Sequence, residues 1–209
     1  MTSVANRRSV MVLYSDTFSP VGHAVRIVLA EKDINVDVNY ITGDNLPEEI
    51  VEINPYNTAL TLIDRDLVLY DAQIIMEYLD ERFPHPPLMP VDPVTRANNR
   101  QIRYRVFRDL YSCVDEITSE NDISAANAKK TLRDNLTAIA SVFAHKPYFM
   151  SDEYTLVDCC MAPLLWRLES FGIKLPASAK PLLKYSESLF EREAFQISLS
   201  DQERELRSP

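Results

Sequence analysis

From Phe83 the chain reads Phe83-Pro84-His85-Pro86-Pro87-Leu88-Met89-Pro90-Val91-Asp92-Pro93, a short run that holds five of its thirteen prolines. Proline fixes φ near −65° and has no backbone N–H, so neither a helix interior nor a central strand can pass through this run. The segment is a stiff, exposed joint, and the patterns on its two sides have to be read separately. Such a joint can be a rigid linker between domains or a rigid surface that presents His85.

Before the joint, short β-type runs alternate with helical ones. Val10–Tyr14 reads as a buried strand. Ser19-Pro20 then supplies an N-cap and a proline at the first helical position, opening a helix through Glu31. Val36–Tyr40 alternates as a second strand, Pro47–Ile53 fits a short helix, and Leu60–Ile63 reads as a third strand. Asp64-Arg65-Asp66 turns the chain into a fourth, Leu67–Tyr70. Ile74, Ile75, Tyr78 and Leu79 recur at helical spacing up to the joint. The order βαβαββα is that of a thioredoxin-like layer.

After Pro93 no strand pattern survives. Asp92-Pro93 repeats the cap-then-proline signature at the start of a long helix, and residues 125–143, 155–168 and 179–190 follow as amphipathic segments. Thr155-Leu156-Val157-Asp158 has capping-box form before the apolar run Cys159–Trp166, which marks a central, buried helix. The sequence thus predicts an α+β chain. Residues 9–83 form a thioredoxin-like domain, 84–92 a proline-rich linker and 93–203 an all-helical domain, with a frayed tail from Arg204.

The net charge is −9, and residues 1–90 hold 14 acidic against 6 basic side chains. Lysine and arginine drive binding to nucleic acid, so direct DNA binding is not expected. With only three glycines no phosphate-cradling loop is available. No run is long and apolar enough to cross a bilayer, and Met1–Arg8 lacks secretory-signal form, which leads to a cytoplasmic expectation. Cys113, Cys159 and Cys160 are odd in number and lack metal-ligand spacing, so no disulfide, metal or cofactor is expected. The adjacent pair reads as small hydrophobes in a buried helix. His23 and His145 have no sequence partners that suggest a catalytic role. Arg96, Arg100 and Arg103 share one helix face while Arg105 and Arg108 lie on others, a pattern suited to salt links with the acidic first domain or across a dimer interface.

A thioredoxin-like domain, a proline joint and a helical domain carrying this Thr-x-x-Asp box resemble the glutathione transferase architecture. More closely, Val25–Lys32, Ile75–Pro90, Leu156–Cys159 and Ala162–Leu168 resemble the stringent starvation protein A family. That resemblance implies a non-enzymatic regulator that binds RNA polymerase holoenzyme, through its housekeeping sigma and largest subunits, and alters promoter use under stress. It also implies a homodimer, or a heterodimer with a paralogue, and a contact surface at Pro84, His85, Pro86 and Pro87. Asp92, where an aromatic residue is expected in the family, reads as a helix cap.

A transferase must grip glutathione and lower its thiol pKa, and three positions test that chemistry. After the first strand, Tyr14, Ser15 and Ser19 offer hydroxyls. At the entry to the third strand Leu60 replaces the usual cis-proline, and a non-proline cis bond costs about 2.5–4 kcal/mol, so a trans loop is expected. After the fourth strand Asp71-Ala72 replaces an acid-serine or glutamine-serine pair, losing a charge-assisted bond of about 1.5–3 kcal/mol. Ser19, Leu60, Asp71 and Ala72 therefore mark a degraded glutathione site. The competing readings are a glutathione-dependent transferase or peroxidase using Ser19 or Tyr14, and a small-ligand sensor using the cleft between the domains.

Overall fold

In the computed structural model, which describes residues 11–42 and 45–207, Ser19 caps the first helix through Val21 N–H at 3.1 Å, with Pro20 at its first position. This helix, α1 (Pro20–Glu31), follows strand β1 (Val12–Asp16). The strand therefore starts two residues later than its sequence pattern suggested, and Val10, like residue 9 of the expected domain start, lies outside the described residues. Gly22 is required by close approach, because a Cβ there would meet Ser15 Oγ at 2.4 Å.

The chain continues through β2 (Asp37–Ile41), α2 (Glu48–Ile53), β3 (Thr61–Asp64), β4 (Leu67–Leu69) and α3 (Ala72–Arg82). The mixed sheet runs β2-β1-β3-β4, with β1 parallel to β2 and antiparallel to β3. This is the βαβαββα order expected from sequence. Arg65, at the β3–β4 turn, takes a positive φ of 59°.

Asp92 caps α4 (Pro93–Arg105) through Thr95 N–H at 2.8 Å. The expected long helix continues as a π-helical turn, Val106–Tyr111, and then α5 (Ser112–Ile117). Next come α6 (Asp122–Ile139), a 3-10 turn (Ala140–Ala144), and α7 (Leu156–Trp166) behind the Thr155/Asp158 capping box. All of α7 but Trp166 is buried. After it come α8 (Lys180–Phe190), α9 (Glu193–Ser198) and α10 (Asp201–Glu205).

The frayed tail expected from Arg204 is corrected by the structure. A second capping box, Ser200/Glu203, holds α10, and the Arg207 guanidinium lies 5.0 Å from the Trp166 ring centre. Ser208 and Pro209 lie outside the described residues. One apolar core crosses the joint: Leu13, Ile27 and Leu79 of the sheet domain are continuous with Leu132, Met161, Leu182 and Phe195 of the helical one. Helix α1 packs on α3 from its own domain and on α7 and α9 from the other.

Candidate functional site

Ser19, Leu60, Asp71 and Ala72 line one cleft of about 300 Å³ at the domain boundary, with Asp16, Thr58, Tyr70 and Gln73, and with Phe107 from the π turn. The four residues named from sequence thus share one cleft, and its polar groups are already engaged with the protein itself. Asp16 Oδ1 accepts the N–H groups of Phe18, at 2.9 Å, and Ser19. The amides that would otherwise meet an anion there are already taken by a carboxylate.

Among the described residues the single cis peptide is His85–Pro86, so Ala59–Leu60 is trans. The Leu60 side chain is buried, and the loop before it is organised by Asn54, fully buried, which donates to Thr58 O at 2.9 Å and Thr61 Oγ1 at 3.0 Å. Asp71 Oδ1 is occupied in capping α3, accepting Gln73 N–H at 2.9 Å and Ile74 N–H at 3.1 Å. Two carboxylates and no lysine or arginine among the described residues face this cleft. A doubly carboxylated peptide would meet like charge there.

Of the three candidate hydroxyls only Ser19 lines the cleft. Tyr14 points to the other side of the layer, bonded to Glu49 and packed with Ile41 and Ile50, which removes it as a thiol activator. Ser15 is fully buried and accepts from Arg26 Nη1 at 3.0 Å.

Behind the loop that carries Asp16 and Ser19 lies a polar network with no exposed member. Glu203 accepts both oxygens' worth of bonds from Arg26 Nη2, at 2.7 and 2.6 Å, and a further one from Arg167 Nη2. Arg167 also donates to Phe18 O at 2.8 Å and to His23 Nδ1 at 3.2 Å. Arginine cannot accept, so His23 holds its proton on Nε2 and gives it to Ser198 Oγ at 3.0 Å. Burial, then the neighbouring Arg167 and Arg26, lower the His23 pKa well below the usual range. His23 was not assigned a role from sequence; it is a neutral link between the domains.

The second surface is the joint. Pro84, His85, Pro86 and Pro87 are all exposed, whereas Leu88 and Met89 behind them are buried. Lys32 sits beneath with its side chain wholly covered. Its Nζ donates to Asp80 Oδ1 at 2.5 Å, Phe83 O at 2.8 Å and Pro86 O at 2.5 Å. Asp80 Oδ1 also accepts Leu88 N–H at 2.8 Å, and Leu88 O accepts Leu156 N–H at 2.9 Å. Both domains therefore hold the loop.

The basic helix face is occupied by α3. Arg96 pairs with Glu81 at 2.9 Å, Arg100 grips Glu77 with two nitrogens, and Arg103 joins the same carboxylate. Burial acts to raise the Glu77 pKa, but the hydrogen bonds from Arg100 and Arg103 outweigh it and the net shift is downward. Arg105 pairs with Asp109 at 3.6 Å on its own helix turn, and Arg108 donates to Tyr104. Cys113, Cys159 and Cys160 are free and buried. Burial raises the Cys160 thiol to about 12, which leaves it inert at neutral pH.

The model of the glutathione S-transferase N-terminal domain matches residues 13–87, and that of the C-terminal domain matches residues 103–193. A stringent starvation protein A homolog of Coxiella burnetii is 48% identical over 202 residues, covering 96% of this chain and 97% of that protein. The chain belongs to the stringent starvation protein A family. Its homolog in Pasteurella multocida is also 48% identical, over 95% of this chain and 94% of its own length. Among solved structures, Ure2p in complex with S-hexylglutathione superposes with a TM-score of 0.81 at 16% identity, over 91% of this chain and 98% of that one. At that identity the likeness shows the shared fold.

Sequence reasoning missed Lys32, Asp80, Asn54 and the Arg26–Arg167–Glu203 network. A signal was present for some of them: His23 and Arg26, three residues apart inside the apolar run of α1, share a face that no solvent-exposed pattern explains. Asn54 and Glu203 carried only local signals, an Asn-Pro turn and the Ser200-x-x-Glu203 capping-box spacing, and neither spacing pointed to burial or to Arg26 and Arg167, which lie in distant elements.

Proposed function

We propose that this family member is a non-enzymatic regulator of transcription that docks on bacterial RNA polymerase holoenzyme through Pro84, His85, Pro86 and Pro87. What carries the reading is a contrast between two surfaces. The cleft at Ser19, Leu60, Asp71 and Ala72 has lost the groups that grip glutathione, while the proline loop is exposed and held in one conformation by both domains. A pre-ordered loop loses little entropy on docking, and a histidine can stack, donate and accept there. The partner faces are the housekeeping sigma subunit and the largest subunit, the setting is the cytoplasm, and the working unit is a homodimer or a heterodimer with a paralogue. The Arg96–Arg103 face is committed to Glu77 and Glu81, which fits action without direct DNA reading.

The deciding experiment is a binding titration against polymerase holoenzyme, with glutathione followed by calorimetry on the same preparation. The expected result is submicromolar polymerase binding, no glutathione heat, and a loss on the order of tenfold in affinity for His85→Ala. Glutathione binding abolished by Ser19→Ala, without polymerase binding, would replace this reading with that of an enzyme. Sedimentation of the free protein checks the dimer.

A further inference from the structure

We infer that Lys32 and Asp80, neither of them at the surface, are the positioning residues that make the proline loop competent to dock. The inference rests on the reading of that loop as the docking surface. Within residues 83–87 three of five are prolines with no N–H, and the Phe83 amide is already used on Leu79 O at 3.0 Å. His85 holds the one N–H left in this run, so the loop cannot satisfy both the Phe83 and the Pro86 carbonyl by local turns. Phe83 O and Pro86 O, which flank His85, take their donor from outside: both bond to Lys32 Nζ, whose third proton goes to Asp80.

The same Asp80 oxygen then fixes the far end of the loop through Leu88 N–H. A single ammonium–carboxylate pair thus determines three backbone positions around His85. Stability alone is a poor reason for such a pair, since well-packed apolar residues of similar volume generally serve as well. What an apolar pair cannot supply is two donors for the Phe83 and Pro86 carbonyls and an acceptor for the Leu88 amide. Lys32 is also the residue that closes α1, with its own N–H bonded to Val28 O at 3.0 Å, so the base of the staple is anchored in the sheet domain's main helix.

The test uses Lys32→Met and, because that change leaves Asp80 buried without a partner, the double variant Lys32→Met/Asp80→Leu. Two quantities are read on each: the backbone order parameter at the His85 amide, and affinity for polymerase holoenzyme, with His85→Ala as reference. The expected result is an order parameter falling from about 0.85 to below about 0.6, and an affinity loss on the order of tenfold, with thermal midpoint and dimer retained in the double variant. An unchanged order parameter would overturn the inference whatever happens to binding. A loosened loop that binds as well as the parent, while His85→Ala binds weakly, would also overturn it and leave the docking reading in place. If His85→Ala and both staple variants all bind like the parent, the docking reading itself fails and the inference goes with it.

Discussion

His23 shows how a side chain with no role visible in the sequence acquires one from its surroundings. Its neutral ring is set between Arg167 on one nitrogen and Ser198 on the other, with Arg26 and Glu203 close by. Because burial and the two arginines depress its native pKa, the unfolded chain binds a proton that the native chain refuses below about pH 6.5. Stability should hold above about pH 6.5 and fall below it, by up to about 1.4 kcal/mol per pH unit until the depressed native pKa is reached. Urea titrations at a series of pH values check this: the acid slope should flatten in His23→Gln, and an identical slope in the variant would rule the histidine out. Other residues were legible beforehand because their chemistry is local. Ser19, Asp92 and the Thr155/Asp158 box cap the helices that directly follow them, and Ser19, Leu60, Asp71 and Ala72, named from sequence, share one cleft.

Among the elements, α10 is the least expected and one of the most connected. It is five residues long, too short to persist alone, yet Glu203 on it neutralises an arginine from each domain, and Trp166 Nε1 donates to Glu203 O at 2.8 Å. Removing one member of such a buried group strands the others. Glu203→Ala is expected to cost about 3–5 kcal/mol in unfolding free energy; a cost under about 1 kcal/mol would mean that the network is not holding the domains together. The π turn Val106–Tyr111 is a second case. Its sequence continues the helical pattern of α4 without interruption, so no local signal distinguished it, although it places Phe107 in the cleft wall and Tyr111 against Cys160 O at 2.7 Å.

At the scale of the molecule the two patterned halves do not behave as beads on a rigid string. Helix α1 of the sheet domain lies against α7 and α9, and the apolar core is continuous across that contact. Thermal or urea unfolding should therefore be a single transition, in which the fluorescence of Trp166, the chain's only tryptophan, which reports the helical domain, and hydrogen exchange at the β1 and β3 amides, which reports the sheet domain, change together. Sheet amides that exchange well before the fluorescence moves would show instead that the domains unfold separately. The acidic balance of the sheet domain is likewise used internally: Glu77 and Glu81 are spent on the arginines of α4, and Glu31 on Arg192, whose side chain pairs with it at 2.7 Å.

The sequence by itself determined the order βαβαββα before the proline run, the helices after it, and the caps. Each of these depends on neighbours within a few residues or on one side chain's chemistry, which a linear reading retains. Only the tertiary structure decided that Tyr14 faces away from the cleft, that the tail forms α10, and that Lys32 and Asp80 hold the proline loop from beneath. Those outcomes depend on groups as far apart as Arg26 and Glu203, 177 residues along the chain. Their partnership is set by where packing leaves a buried charge or carbonyl in need of a partner, and no spacing in the sequence encodes it.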